Sequence, residues 1–192
     1  MQIVVTACLD EVRALVEEST RLVDLYQDKS SEFPERLVAW LRRAEATLKQ
    51  HRRSQLGPLS ALRARALAAI AGMHEGSDPA ARRLQARKQT AGACALLLGQ
   101  AQDLLHQVCA ALEPKRDEAA RLLQQMLQIL LQGGVLLPLL AAAQGPAERL
   151  ARVWQACQTR PEVANGARQV LGLVAWADAL RLIDETLDAW RL

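Results

Sequence analysis

Residues 122–147, LLQQMLQILLQGGVLLPLLAAAQGPA, carry no charged side chain, although 23% of the whole chain is charged. A run of this kind belongs in a membrane, in a protein core or against a partner. A membrane-spanning helix needs about 20 consecutive apolar residues, whereas this run is interrupted by glutamines, by Gly133-Gly134 and by Pro138. We therefore predict no membrane span. The run should be packed on several sides in a core, with a partner interface as the alternative.

The composition favours helix in every part of the chain. It is rich in Leu and Ala, has few β-branched residues, and contains one Phe and one Tyr, which leaves little to pair in a sheet. The 192 residues are enough to bury roughly 70% of the unfolded surface. We predict an all-α fold, a compact bundle of about six to eight helices that forms one domain over residues 1–192.

Apolar residues recur at steps of three and four along most of these helices, and Pro and Gly set their limits. The predicted helices cover 3–28, Pro34 to Gly57, the segment up to about Met73, Pro79 to Leu112 with Asp78 as N-cap, Pro114 to Gln132, a short apolar piece before Gly145, Pro146 to just before Pro161, and a last helix from about Asn165. Gly92 and Gly99 lie seven residues apart on one face, where we expect a neighbouring helix to approach closely. The leucines expected to be buried are Leu97, Leu104, Leu123, Leu127 and Leu130.

Cysteine usage favours a cytoplasmic protein. Cys8, Cys94, Cys109 and Cys157 are far apart and surrounded by small or apolar residues, a pattern typical of buried, reduced thiols. The N-terminus has no basic segment before Asp10, so no secretory signal is predicted. Arg predominates over Lys. This bias is as typical of a GC-rich genome as of a binding role, and we interpret the chain as bacterial.

The sequence contains little that indicates chemistry. His51, His74 and His106 are the only histidines, and no catalytic or phosphate-binding motif is present. Asp103, His106 and Cys109 recur at steps of three, but this spacing spreads them across about 120° of one helix, and zinc would need a fourth ligand. We interpret them as part of a polar face and predict no metal, no cofactor and no enzyme activity.

Charge is segregated along the chain. Residues 1–35 hold three basic and eight acidic residues, a net charge of −5, and residues 36–88 hold twelve basic and three acidic residues, a net charge of +9. The predicted basic binding face consists of Arg42, Arg43, Lys49, Arg52, Arg53, Arg63, Arg82, Arg83, Arg87 and Lys88. It could bind a nucleic-acid backbone, although no aromatic residue is interleaved for base stacking. The alternatives are an acidic protein partner, a face that is simply solvated, and pairing with the chain's own acidic first helix.

The last helix carries an apolar seam at steps of three and four, which we predict as an oligomer or partner face: Trp176, Leu180, Ile183, Leu187 and Trp190. Packing of the same seam onto the parent bundle is the alternative. Together these features predict a non-catalytic accessory or adaptor protein that binds another protein subunit in a larger complex. A nucleic-acid-binding accessory protein that uses the basic face, with RNA or DNA as partner, is the alternative, and a homo-oligomer is possible.

Overall fold

The computed structural model describes residues 4–72 and 80–192, without the side chains of residues 80–86. Within this part of the chain, 85% of the residues are helical and no strand is present, so the all-α prediction is confirmed. The eight helices described are α1 Val5–Gln27, α2 Phe33–Gln50, α3 Leu56–Ala71, α4 Ala80–Gln132, α5 Leu136–Ala141, α6 Pro146–Thr159, α7 Ala164–Leu173 and α8 Trp176–Trp190. The predicted helix start at Asp78 and Pro79 lies outside the described residues.

The helices group into two compact units. Residues 8–111 form one unit, and residues 1–7 with residues 112–192 form the other. The boundaries fall inside α1 and α4, so each of these helices contributes to both units. The single domain over 1–192 stays a prediction, and each unit is described below by itself.

In the unit of residues 8–111, polar contacts link all four helices around an apolar core. Trp40 of α2 is fully buried and donates its indole N–H to the carbonyl of Leu15 in α1 at 3.0 Å. Ser19, the gap in the apolar stripe of α1, is buried and accepts a 2.8 Å hydrogen bond from the side-chain amide of Gln102 in α4. Because this polar group has a partner, it is accommodated inside the bundle. The predicted inner face of α2 is buried at Leu37, Trp40, Leu41, Ala44 and Leu48.

In the other unit, a buried carboxylate fixes the start of α8. Asp178 is fully buried. It accepts hydrogen bonds from the backbone N–H of Val5 at 2.7 Å, of Thr6 at 3.0 Å and of Ala175 at 3.2 Å, and from the Thr6 hydroxyl. These donors satisfy both carboxylate oxygens, and no basic side chain of the described residues pairs with them. The same hydrogen bonds explain why the structure has two helices, α7 and α8, where the sequence predicted one from about Asn165. Val174 and Ala175 are extended, and Asp178 caps the helix that follows.

Two further expectations about α4 are wrong. The helix was expected to restart at Pro114, but it continues through this proline, because a proline weakens a helix by removing one N–H donor and does not always end it.

A close approach was expected at Gly92 and Gly99, yet a Cβ at either position would meet no described atom within 4 Å. The close approach in the described part is at Gly166 of α7, where a Cβ would lie 2.7 Å from Sδ of Met126.

The uncharged run divides as its glycines and prolines predict. It contains the end of α4, a turn with Gly134 at φ 68°, the short helix α5 and the first residues of α6. Leu123, Leu127 and Leu130 are buried, as is Leu97, which confirms the core prediction for four of the five leucines. Leu104 is half-buried. All four cysteines are buried and free, as predicted.

Candidate functional site

Two arginines of the predicted basic face form ion pairs within the unit of residues 8–111. Arg43 of α2 pairs with Glu18 of α1, and Nε of Arg63 in α3 donates to Oε2 of Glu45 in α2 at 2.7 Å. Part of the basic charge is therefore paired within this unit, and one of the two acidic partners comes from the acidic first helix.

The other basic residues do not form one continuous surface. Arg42, Lys49, Arg52, Arg87 and Lys88 are exposed and form no ion pair within the described residues. Arg52 lines the same depression as Val108 of α4, whereas Arg87 and Lys88 precede Thr90, whose hydroxyl donates to the carbonyl of Ala69 in α3. At 1.5 Å per residue, the 20 residues of α4 from Lys88 to Val108 separate these groups by about 30 Å. The side chains of Arg82 and Arg83 lie outside the described part.

A depression of about 280 Å³ lies where α2 ends and α3 begins. Its polar lining comes from the connecting segment, and two residues of α4 complete it: Arg52, Arg53, Ser54, Gln55, Val108 and Ala111. No acidic side chain is among these lining residues. The depression therefore combines two cationic side chains with a hydroxyl and an amide.

The end of α2 explains why Arg53 lies there. Arg52 adopts the left-handed conformation, with φ 52°, and the backbone N–H of Arg53 donates to the carbonyl of Leu48 at 2.9 Å. This six-to-one hydrogen bond after a left-handed residue is the Schellman motif, which usually has Gly at the left-handed position. The motif folds the chain back on α2, so Arg53 is held against the bundle and does not continue the exposed face of the helix.

The guanidinium of Arg53 is in an unusual environment. Its Nε and Nη2 atoms are excluded from solvent and have no oxygen acceptor in the described part of the structure. It lies beside the buried thiol of Cys8. Burial raises the pKa of that thiol, and a side-chain hydrogen bond from Arg53, together with its positive charge, lowers it in part. The carboxylate of Glu11, which also acts on Cys8, is 3.1 Å from Nε2 of His51. Arg53 therefore lies beside the neutral thiol of Cys8, and the carboxylate of Glu11 bonds to His51.

The step-of-three cluster in α4 is not brought together as a metal site. Asp103 and His106 are exposed, whereas Cys109 is buried. Within the described residues, no group of three His, Cys, Asp or Glu side chains is placed to hold a metal ion.

The predicted seam of the last helix has both inner and outer positions. Ile183 and Leu187 are fully buried in their own unit, Leu180 and Trp190 are half-buried, and Trp176 is 53% exposed. Sequence periodicity identified all five residues as one apolar face. The break before α8 places Trp176 in the first turn, where it is the most exposed member of that face.

Two leucines with more than half of their surface exposed were missed by the sequence analysis. Leu96 of α4 is 73% exposed and Leu137 of α5 is 52% exposed. Both lie in low-charge segments, for which a core was predicted with a partner interface as the alternative. Periodicity does not reveal such residues, because a helix that is apolar on most sides has no polar face to mark its outside.

Comparison of the chain with known protein families, with curated proteins and with solved structures gives no significant match. Among the described residues, no helix is both long enough and apolar enough to cross a membrane.

Proposed function

We propose that this chain is a non-catalytic accessory or adaptor protein, a subunit of a larger cytoplasmic complex in a bacterium, and that it acts by binding another protein. The observation that carries the proposal is the exposure of Trp176, with 53% of its surface open in the first turn of α8. Tryptophan is enriched among the residues that dominate the binding energy of protein interfaces.

The position of Trp176 suits a binding anchor for a second reason. The backbone around it is fixed, because Asp178, two residues later, accepts hydrogen bonds from Ala175 and from the start of α1. A side chain on a fixed backbone loses less conformational freedom on binding than one on a mobile segment. Its large ring also brings 150–250 Å² of surface to a contact.

The test is co-purification of the tagged full chain from its native host, after nuclease treatment and a wash in moderate salt. We expect a stoichiometric protein partner, identified by mass spectrometry, whose affinity falls by about 30-fold or more in Trp176→Ala. Leu96→Ala, which removes another exposed apolar side chain from a different helix, is the matched control and should retain the partner. Equal recovery with both variants would contradict the proposal. Light scattering of the wild type shows whether the partner is a second copy of this chain.

The nucleic-acid alternative is supported by Arg42 and Lys49, which are exposed, one heptad apart on α2 and without an ion pair in the described residues. If they bind phosphates, affinity for RNA or DNA should fall steeply with salt, and each substitution should reduce the salt slope by about one. Recovery of nucleic acid that is lost in the double variant Arg42→Glu, Lys49→Glu would make this alternative the better account.

A further inference from the structure

The uncharged run of residues 122–147 has a large outer surface, which we call the uncharged surface. Only five of its 26 residues are buried, and 14 are exposed. The exposed ones include Ile129, 44% exposed, and Leu137, 52% exposed. The cores of protein interfaces are depleted in charged residues relative to the rest of the surface. The uncharged surface therefore has the composition of an interface core.

All polar side chains of the uncharged surface are glutamines. They are Gln124, Gln125, Gln128, Gln132 and Gln144, and each is exposed. None of their side-chain amides forms a hydrogen bond with another residue of the described structure. A glutamine amide has both N–H donors and a carbonyl acceptor, so one glutamine can pair with another. The polar groups of this surface are thus complementary to themselves.

The part of the uncharged surface that α4 provides lies on one side of the helix. At about 100° per residue, its exposed positions span an arc of roughly 140°; they are Gln124, Gln125, Gln128, Ile129 and Gln132. The buried residues Leu123, Leu127 and Leu130 lie on the opposite side. The same helix end therefore contributes leucines to the core and presents a continuous uncharged face on its outside.

The charges that flank the run are paired within the chain. Arg121 bonds to Glu118 at 2.6 Å, and Arg152 bonds to Glu148 at 2.6 Å. When two identical chains meet about a twofold axis, the same surface of each chain faces its copy, so a charged surface meets like charge. No such repulsion arises at the uncharged surface, whereas residues 36–88, with a net charge of +9, would repel their copy.

We propose that the uncharged surface binds the same surface of a second copy of this chain and so forms a homodimer. Twenty-one residues of the run are exposed or half-buried, and a standard interface has about 20–30 residues a side. The surface lies within the unit of residues 1–7 and 112–192 and does not include Trp176. The homodimer is therefore independent of the partner proposed for Trp176, and either proposal can fail alone.

The test is sedimentation velocity of the full chain over concentrations from about 1 μM to about 1 mM. We expect the wild type to approach the mass of a dimer as its concentration rises. The double variants Gln125→Glu, Gln128→Glu and Gln125→Lys, Gln128→Lys each place like charges on both copies, and each should weaken dimerisation about tenfold or more. An equimolar mixture of the two variants brings opposite charges together and should restore the dimer.

The matched control is Gln155→Glu, Gln158→Glu, which makes the same change at two exposed positions three residues apart on α6. It should leave dimerisation unchanged, as should Trp176→Ala. If circular dichroism shows that one charged variant of α4 does not fold, the other decides the test together with the α6 control.

A wild type that stays monomeric throughout the series would overturn the proposal. So would an equal loss of dimer in the α6 control, loss of the dimer in Trp176→Ala, or a mixture that is no more dimeric than its two components. A monomeric wild type whose co-purified protein partner is lost in Gln125→Glu, Gln128→Glu would show that the surface binds a different protein.

Discussion

Oδ2 of Asp178 accepts a 2.7 Å hydrogen bond from the backbone N–H of Val5, although 173 positions separate the two residues in the chain. The contact joins the first turn of α1 to the first turn of α8 in one unit. We expect Asp178→Asn to lower the free energy of unfolding by about 3 kcal/mol, because the amide offers one acceptor atom where the carboxylate offered two and leaves buried N–H groups unpaired. Urea unfolding followed by circular dichroism measures the change.

The matched control for Asp178 is Asp184→Asn on the same helix. Asp184 is exposed, so the same chemical change there should alter stability by less than about 0.5 kcal/mol. A loss of similar size in both variants would mean that the buried hydrogen bonds of Asp178 are not the source of the effect.

Trp40 and Trp176 provide a second comparison of buried and exposed positions. Trp40→Phe removes the indole N–H that bonds to Leu15 at 3.0 Å and leaves space in a closed core, so we expect a loss of about 1–3 kcal/mol in unfolding free energy. Trp176→Phe should cost less than about 0.5 kcal/mol, because half of that side chain already faces solvent. If thermal unfolding shows a larger loss of stability in Trp176→Phe than in Trp40→Phe, Trp40 is not the buried and Trp176 not the exposed tryptophan of the pair.

Gly99 lies inside α4 with open space around its Cα. We expect Gly99→Ala to raise the free energy of unfolding by about 0.5–1 kcal/mol, because alanine loses less backbone entropy in a helix and meets no steric conflict here. Gly166→Ala is the contrasting variant, since its new methyl group would lie 2.7 Å from Sδ of Met126. An equal gain in melting temperature for both would show that α7 does not pack closely at Gly166.

Cys157 should make stability depend on alkaline pH. Burial raises its pKa from 9.0 to about 12, so between these values the folded state keeps a proton that the unfolded state has lost. Its stabilising contribution is fully present below pH 9 and decreases by about 1.4 kcal/mol per pH unit from there to pH 12. Urea titrations of the wild type and of Cys157→Ala should show a shallower alkaline decline in the variant. Burial also raises the pKa of Cys8 and of Cys94, so some decline should remain, and parallel slopes would contradict the prediction.

The helix limits show which local signals were sufficient. Gly133-Gly134, Pro146 and the inner face of α2 were predicted correctly, because glycine, proline and apolar spacing act on the backbone within a few residues of themselves. Pro114 was not sufficient to end α4. The break at Val174-Ala175 has no proline to mark it, and Gly172 just before it still lies inside α7. Asp178, buried against the start of α1, provides the cap there.

The sequence identified candidate functional residues by their type, but it did not show which of them are buried, exposed or paired with another charge. Arg43, Lys49 and Arg53 occur in one basic segment of the sequence, yet Arg43 is paired with Glu18, Lys49 is exposed, and Arg53 has two nitrogens that are excluded from solvent. The seam of α8 divides in the same way between the fully buried Leu187 and the largely exposed Trp176. Residue type alone does not distinguish these environments, because they depend on which distant helix lies opposite.

The sequence by itself determined that this protein is helical, where most of its helices begin and end, and that its uncharged run contributes to a core. Those properties follow from backbone propensity and from the 3.6-residue period, which are local. Only the tertiary structure decided that α8 starts at a buried carboxylate, that Arg53 borders a depression and that Trp176 is exposed. Each of these outcomes depends on contacts between residues far apart in the chain, such as Asp178 with Val5, and the burial that they produce is a property of the packed helices together.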